Sequence, residues 1–334
     1  MLQSIQNCFK IPDLRRKILF TIGILIVYRI GGQITVPGIR SSVLQEFFAS
    51  AGGTIFGLYD MFVGGAFTRA TVFALGIMPY ISASIILQLM GAVVPFFQKL
   101  QKEGEEGRKK INQFTRYGTV VLAAAQSLGV SYFLESIRGQ SSGMEAVIDP
   151  GWGFRLLTMV TITTGTIFIM WLGEQITERG IGNGISLIIF IGIVAELPYA
   201  IKSEWNHYLI NRGFSKSLIE ELFLLALIVV VVAFVVLMTQ GQRRIPVQYA
   251  KRVVGRRVYG GQTTHIPMRI NAAGVIPIIF AQSIMFLPGT LTQFWPESEL
   301  MQNMGTYFST NSLFYWFVYG MMIVFFTYFY TAIV

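Results

Sequence analysis

The chain has 334 residues, of which 53% are hydrophobic and 13% are charged. Because a soluble domain carries about 25% charged residues, this composition excludes an ordinary soluble protein and predicts one that crosses a membrane several times. The net charge of +9 matters through its distribution among the loops. The single cysteine, Cys8, excludes an internal disulfide framework and a metal site built from several cysteines.

Apolar segments long enough to cross a bilayer, which needs about 20 residues, recur along the chain. They predict eight spans: Ile18–Val36, Thr71–Gly91, Tyr117–Leu134, Phe154–Leu172, Ile185–Ile201, Leu218–Met238, Arg269–Leu287 and Leu313–Val334. Proline is expected to interrupt the second span at Pro79 and to kink the seventh at Pro277. The eighth span ends without a polar flank, which we interpret as a truncated chain or a fragment of a longer one.

Basic residues are distributed unequally between the two sets of loops. Of the 26 Lys and Arg residues, 18 fall in one alternate set and 7 in the other, with Arg29 inside the first span. Because cytoplasmic loops are enriched in Lys and Arg, the N-terminus and the long basic loop Thr239–Met268 are expected in the cytoplasm. Arg29 is expected to reach the interface or to pair inside the protein.

An extra segment, Leu58–Ala70, precedes the second span and is not itself long enough to cross a bilayer. It carries Asp60, the flexible pair Gly64 and Gly65, and Arg69. Within the membrane, a segment that carries charges and is interrupted by glycine is tolerated only where it is buried in protein or lines a water-filled cavity. The segment therefore predicts a cavity in the middle of the molecule.

The second span carries one stripe at helical spacing, formed by Ile77, Ile81, Ser84 and Gln88. It could line such a cavity, or it could pack against another helix, with serine and glutamine forming interhelical hydrogen bonds. The stripe alone leaves both interpretations open.

The long basic loop contains the run Arg243–Gly261, in which Tyr249 and Tyr259 are interleaved among six cations. Its first part is expected to be extended, and its second part is predicted to be a hairpin with Gly255 at the turn. The charges could retain the loop in the cytoplasm, with about 1 kcal/mol per residue from anionic lipid. Arginines presented by a hairpin also suit phosphate or carboxylate, which favours a docking site for RNA or an acidic protein.

No constellation for covalent chemistry appears in the sequence. His207 and His265 are predicted on opposite sides of the membrane, and no metal spacing or phosphate-binding loop is present. The run GIGNG (Gly180–Gly184) has the composition of a nucleotide loop, but no predicted strand precedes it, so a tight turn is favoured. We therefore expect neither an enzyme nor a bound cofactor or metal.

Four long runs carry a resemblance to a known family. They are FALGIMPYISASIILQL (Phe73–Leu89), LGEQITERGIGNGIS (Leu172–Ser186), QRRIPVQYAKRVVGRRVYGGQTTHIPMRIN (Gln242–Asn271) and AGVIPIIFAQSI (Ala273–Ile284). In order along essentially the whole chain, they resemble the SecY family, the channel subunits of the bacterial Sec translocon. The resemblance implies an all-α polytopic membrane protein, an inverted-repeat helical bundle around an hourglass pore, with the last two of ten spans absent. It implies an N-terminal half, 1–201, and an incomplete C-terminal half, 202–334.

The same resemblance implies a function and a set of sites. The chain would conduct unfolded preproteins across the bacterial inner membrane and release apolar segments sideways into lipid. The implied pore ring is Ile77, Ile81, Ile185, Ile189 and Ile279. The implied plug, expected to be loosely held, is Tyr59, Asp60, Met61, Phe62, Val63, Gly64, Gly65, Ala66, Phe67, Thr68, Arg69 and Ala70. The implied lateral gate is Ser84, Gln88, Gln126 and Asn271, and the implied docking site for the ribosome or the SecA motor is Arg243, Arg244, Lys251, Arg252, Arg256 and Arg257.

The resemblance also implies partners: SecE-like and SecG-like membrane subunits, the SecA ATPase, the ribosome, signal sequences, unfolded preproteins and anionic lipid. Two other classes compete with a channel. A secondary transporter also uses broken helices and repeats, but it needs ion-coordinating groups at mid-membrane, where this sequence has isoleucine. The third class is an insertase-type or structural membrane protein without a pore.

Overall fold

The computed structural model describes residues 10–50, 60–138, 143–211, 214–248, 252–254, 257–259, 263–271, 273–294, 298–308 and 312–333. The helices before the basic loop are α1 (Pro12–Gly31), α2 (Ser41–Ser50), α3 (Met78–Val93), α4 (Pro95–Lys102), α5 (Glu105–Ser136), α6 (Trp152–Arg179), α7 (Gly184–Asn211) and α8 (Phe214–Gln240). Four strands follow: β1 (Gln242–Gln248), β2 (Arg252–Val254), β3 (Arg257–Tyr259) and β4 (Thr263–Arg269). The last helices are α9 (Ile276–Phe294), α10 (Glu299–Tyr307) and α11 (Leu313–Ile333).

Within the described residues, five helices are long and apolar enough to cross a membrane: α5, α6, α7, α8 and α11. The pair α3 and α4 makes a sixth candidate if its 97° bend lies within one broken span. Predicted spans one and seven correspond to α1, which carries basic residues near both ends, and to α9, whose apolar part is Ile276–Met285. The prediction of an all-α polytopic membrane protein is confirmed.

The second predicted span is wrong over its first seven residues. Residues 71–77 form a series of turns, and α3 begins only at Met78. Pro79 lies in the first helical turn, where its missing N–H costs no hydrogen bond, so it begins the helix and does not interrupt it. In the same way, α9 begins at Ile276 and carries Pro277 in its first turn, while Pro288 lies inside the helix. The expected kink at Pro277 is therefore a helix start.

The turn segment 71–77 is buried among the packed helices. Phe73, Ala74 and Leu75 are buried, and Phe73 stacks on Tyr28 of α1 with ring centroids 5.9 Å apart. The N–H of Val72 donates to the carbonyl of Ile34 at 2.9 Å, which gives the non-helical backbone a partner away from water. The segment needs no helical hydrogen bonds because turn hydrogen bonds within it and the bond to Ile34 satisfy part of its backbone.

The long basic loop is a ribbon of antiparallel strands. β1 pairs with β4 from Gln242↔Arg269 to Gln248↔Thr263, and β2 pairs with β3 with Val254 opposite Arg257. This confirms the predicted extended arm and hairpin; Gly255, the expected turn residue, lies outside the described residues. Pro246 and Pro267 are accommodated in this ribbon, as proline is in edge strands.

The described chain groups into two compact units. The first comprises Met1–Ala200 with Ile279–Met322, and the second comprises Ile201–Ile278 with Ile323–Val334. The first contains the buried turn segment and the helices around it, and the second contains the basic ribbon. The predicted division into halves at residues 201 and 202 stays a prediction.

Candidate functional site

The predicted plug is a compact, internally bonded segment of which the structure describes residues 60–70; Tyr59 lies outside the described residues. We call these eleven residues the plug segment. It begins with a short helical turn at 60–63 and then reverses at Gly64 and Gly65, whose φ angles are +70° and +80°. The Asp60 carboxylate accepts hydrogen bonds from the N–H groups of Phe67 at 2.8 Å and Thr68 at 3.1 Å, and from the Thr68 hydroxyl at 2.7 Å. Burial raises the pKa of the Asp60 carboxyl, and these hydrogen bonds act in the opposite direction.

The plug segment is closely packed, which corrects the expectation of a loosely held one. Val63, Ala66, Phe67 and Ala70 are all buried. Backbone hydrogen bonds tie its end to the loop after α1, since the N–H of Val36 donates to the carbonyl of Ala70 at 2.9 Å. Its low hydrophobicity misled the prediction because small side chains can pack as tightly as large ones.

Two helices contact the glycine turn of the plug segment. From α1, Nη1 of Arg29 donates to the carbonyl oxygen of Gly64 at 3.0 Å, so this cation inside a predicted span does pair within the protein. From α7, a Cβ atom on Gly192 would stand 2.7 Å from the carbonyl oxygen of Phe62. The backbones of the plug segment and α7 therefore approach as closely as only glycine allows.

The face of α7 that meets the plug segment also carries two predicted pore-ring residues. Ile185, Ile189, Gly192 and Glu196 follow one another at i, i+4, i+7 and i+11, which is one stripe of a helix. Ile189 is buried, and Glu196 lies beside Gly65, where a Cβ atom would be 2.6 Å from Oε1 of Glu196. Ile185 is half-buried and also packs on α6. A Cβ atom placed on Gly173 of α6 would lie 3.2 Å from Cγ1 of Ile185.

The remaining ring candidates lie on α3 and α9 of the same compact unit. Ile77 is the residue before α3, with its φ and ψ at −94° and 0°, and Ile81 follows in the first turn; both are buried. Ile279 is half-buried on α9, and Ser283 one turn later lies 3.8 Å from the sulfur of Met78 at the start of α3. The first turn of α3 therefore contacts α9 at Ser283, one turn after Ile279.

The structure brings together two of the four predicted gate residues. Nε2 of Gln88 donates to Oγ of Ser84, one turn earlier in α3, at 3.3 Å. Gln126 is buried on α5, and its Oε1 has no hydrogen-bond partner in the part of the chain that the structure describes. Asn271 belongs to the other compact unit, where its side chain accepts a hydrogen bond from the N–H of Gly274 at 2.9 Å.

The glycine-rich run Gly180–Gly184 forms the predicted tight turn, and it also caps α7, which was not predicted. Gly182 has a φ of +71°, and Oδ1 of Asn183 accepts hydrogen bonds from the N–H groups of Ile185 and Ser186 at 3.0 and 3.2 Å. A Cβ on Gly184 would overlap the carbonyl oxygen of Gly173 on α6. The run thus fixes the start of α7, and with it the position of the stripe that meets the plug segment.

The docking residues lie on the basic ribbon, of which the structure describes a part. Arg243 and Arg244 are exposed on β1 opposite Met268 and Pro267, and their side chains alternate between the two faces of the ribbon. Arg252 pairs in backbone register with Tyr259, and Arg257 pairs with Val254. Lys251 and Arg256 lie outside the described residues, as do the side chains of the short hairpin.

Sequence reasoning missed Gly192 and Glu196, the two α7 residues that contact the plug segment. The signal was available, because a carboxylate seven residues after Ile189 continues the stripe of Ile185 and Ile189 inside a predicted span.

Within the described residues, no group of three or more His, Cys, Asp or Glu side chains is placed to hold a metal ion.

Comparison with known proteins decides the family. The SecY family model matches residues 71–334. The SecY protein translocase subunit of Escherichia coli strain K12 is 49% identical over 325 residues, which cover 96% of this chain and 72% of the relative. The chain belongs to the SecY family.

Solved structures share the fold of this SecY-family chain. One of them is a structure of a SecY protein whose plug domain stabilises the closed state of the translocation channel and maintains a membrane seal. It has a TM-score of 0.52 and 19% identity over 84% of this chain. The yeast Ssh1 complex bound to the 80S ribosome has a TM-score of 0.56 and 16% identity over 85% of this chain. This SecY-family chain spans 58% and 60% of those two chains.

Proposed function

We propose that this chain is the channel subunit of a bacterial Sec translocon. It conducts unfolded preproteins across the inner membrane and releases apolar segments sideways into the lipid, and it catalyses no covalent step. Membership of a family of protein translocase subunits supports this function. The structural observation that carries it is a polar, glycine-containing segment buried among helices, against the same face of α7 that presents Ile189.

The pore ring of the proposal consists of Ile77, Ile81, Ile185, Ile189 and Ile279. Branched aliphatic side chains converging at one level exclude ions because a narrow apolar constriction loses its water. Their stiff side chains also bind no passing residue strongly. The burial of Ile77, Ile81 and Ile189 and the meeting of α3 with α9 support this assignment.

The plug segment closes the ring in the resting channel. In the similar SecY protein, the plug domain stabilises the closed state and maintains a membrane seal. The corresponding role here is supported by the burial of residues 63–67 and by their contacts with α1 and α7. The tight packing implies that an arriving preprotein must supply the free energy of displacement.

The lateral gate of the proposal uses Ser84, Gln88, Gln126 and Asn271. Hydrogen bonds between membrane helices are worth about 0.6 kcal/mol on average, so an apolar signal sequence can compete with them. The buried Oε1 of Gln126, which has no hydrogen-bond partner among the described residues, supports a site where polar contacts are exchanged.

The basic ribbon is the proposed docking site for the ribosome and the SecA motor, through Arg243, Arg244, Lys251, Arg252, Arg256 and Arg257. Support comes from the hairpin geometry and from the likeness to Ssh1, which in its own structure is bound to a ribosome. The orientation predicted from basic residues puts this ribbon and the N-terminus in the cytoplasm. SecE-like and SecG-like subunits complete the channel in the proposal, and anionic lipid contacts the basic loops.

Asparagine substitutions on α3 and α9 test the channel. In translocons reconstituted into planar bilayers, Ile81→Asn and Ile279→Asn should raise the resting ion conductance and admit preproteins with defective signal sequences. The matched control is Ile86→Asn, because Ile86 lies on the same helix as Ile81 but is exposed. Wild-type conductance in both ring variants would contradict a pore, and it would favour a transporter or a protein without a conduit.

A further inference from the structure

Charged side chains surround the glycine turn of the plug segment on two sides. Arg29 of α1 donates to the carbonyl oxygen of Gly64, and its Nη1 lies 3.2 Å from the position of a Cβ on that residue. On the other side, Oε1 of Glu196 and Nη2 of Arg69 lie 2.6 and 3.5 Å from the position of a Cβ on Gly65. One cation is therefore on a helix that the plug segment contacts, and a second cation is on the plug segment itself, close to an anion of α7.

The carboxylate of Glu196 needs a cation. Its Oε1 is buried and has no hydrogen-bond partner among the residues that the structure describes. Glu196 as a whole is half-buried. An ionised carboxylate with one oxygen shielded from water and without a partner is stabilised by a nearby guanidinium, even without direct contact. Arg69 supplies this charge from the plug segment while its Nη1 donates to Oε1 of Gln33 at 2.8 Å.

Two interactions are lost together when the plug segment is displaced. They are the hydrogen bond from Arg29 to the carbonyl of Gly64 and the attraction between Glu196 and Arg69. Half-buried charges that lose their partners raise the free energy of the displaced state, though less than fully buried ones would. The resting state is thus favoured by electrostatics as well as by the packing of Val63 and Phe67.

We propose that Glu196 and Arg29 are positioning residues that hold the plug segment in the resting channel, Glu196 by its attraction to Arg69 and Arg29 by its hydrogen bond to Gly64. We call Arg29, Arg69 and Glu196 the charge latch. The latch sets how strongly a signal sequence must act before the channel opens. This inference rests on the proposed channel function.

The test is a charge-reversal cycle in the reconstituted translocon. Glu196→Gln and Arg69→Glu should each raise the resting ion conductance about tenfold. This corresponds to a change of about 1.4 kcal/mol in the free energy that separates the plugged from the unplugged channel. Both should also increase translocation of preproteins with defective signal sequences. The double variant Arg69→Glu with Glu196→Arg restores opposite charges between these two positions, but it leaves a carboxylate at position 69 close to Asp60, whose charge Arg69 stabilises. It should therefore lower the conductance only part of the way from that of Arg69→Glu alone.

Arg29 provides a second, independent arm of the test. Arg29→Met removes the hydrogen bond to Gly64 and should raise the resting conductance, whereas Arg29→Lys keeps a donor and should raise it less. Thermal unfolding of each purified variant separates an open channel from a misfolded one. If Glu196→Gln yields too little protein, Glu196→Asp shortens the side chain with the charge kept and should give an intermediate conductance.

The outcomes distinguish the latch from the channel itself. The latch would be overturned by wild-type conductance in Glu196→Gln, or by a reversed pair that conducts no less than Arg69→Glu alone, while Ile81→Asn still conducts. If Ile81→Asn also leaves the membrane sealed, the proposed channel function fails, and the latch fails with it.

Discussion

Arg155 is bound to Glu135 where α5 ends and α6 begins. Its Nε and Nη2 atoms lie 2.9 and 2.6 Å from Oε2 of Glu135, and Oε1 of the same carboxylate accepts a hydrogen bond from the N–H of Gly151 at 2.9 Å. The guanidinium also lies 4.1 Å above the ring of Tyr132. This one ion pair therefore joins two long membrane helices at their ends and closes the loop between them.

Loss of the Glu135 carboxylate should destabilise the protein. The side chains of Arg155 and Glu135 are 21% and 11% exposed, so their charges are largely shielded from water. Glu135→Ala leaves a half-buried guanidinium and the Gly151 N–H without an acceptor, and we expect a loss of about 2 kcal/mol in the free energy of unfolding. Thermal unfolding of the purified protein in detergent measures the change.

The control for this prediction is the exposed pair of Arg138 and Glu145, whose charged atoms are 3.4 Å apart. Because water screens this pair, Glu145→Ala should cost less than about 1 kcal/mol. Equal losses in the two variants would show that the Arg155 pair is no more important than a surface pair.

At Gly165, α6 lies directly against the backbone of the turn segment 71–77. A Cβ at this position would overlap the carbonyl oxygen of Val72. Gly165→Ala should therefore lower the melting temperature and reduce the yield of folded protein, because backbone cannot shift away as a flexible side chain can. Gly153→Ala is the matched control on the same helix, since a Cβ there meets nothing within 4 Å. There the better helix propensity of alanine should stabilise the protein by up to about 1 kcal/mol, and a comparable loss in both variants would contradict the close approach at Val72.

The sequence predicted the elements whose signal is local. Charge and glycine in Leu58–Ala70 predicted a buried half-segment, and the glycine between two cationic strands predicted the hairpin of the basic ribbon. The sequence could not separate the turn segment 71–77 from the start of α3, since a short apolar run buried on every side has no periodicity that distinguishes turns from helix. The turns are stabilised by distant parts of the chain, because the N–H of Val72 donates to the carbonyl of Ile34 and the N–H of Val36 donates to the carbonyl of Ala70.

The candidate site shows the same limit. The stripe of Ile185 and Ile189 was found, but its continuation through Gly192 to Glu196 becomes meaningful only once the plug segment lies against it. The tight packing of that segment was not predicted either, because its burial depends on the fit of Val63 against Gly76 and of α7 against the glycine turn.

Substitution of Gly192 should weaken closure of the proposed channel. A Cβ at this position would stand 2.7 Å from the carbonyl oxygen of Phe62, so alanine forces the plug segment away from α7. Gly192→Ala should raise the resting ion conductance of reconstituted translocons several-fold. Gly23→Ala on α1 is the control, because a Cβ there meets nothing within 4 Å. A sealed membrane with Gly192→Ala would show that packing against α7 does not hold the plug segment.

Charge reversal in the basic ribbon tests the proposed docking site. Arg257 begins β3, and Arg256 precedes it outside the described residues. If both bind phosphates of ribosomal RNA, Arg256→Glu with Arg257→Glu should weaken ribosome binding at least tenfold at low salt. It should also lower the slope of log affinity against log salt by about one for each phosphate that is no longer neutralised.

The matched control for this double variant is Arg269→Glu, which lies at the other end of the ribbon, paired in register with Gln242. Binding is measured by co-sedimentation of ribosomes with vesicles of neutral lipid that contain the translocon, so that attraction to anionic lipid does not contribute. Normal binding by the double variant at low and high salt would remove the docking assignment. The cations of the hairpin would then serve to retain the loop in the cytoplasm, and the double variant should instead insert with an altered topology.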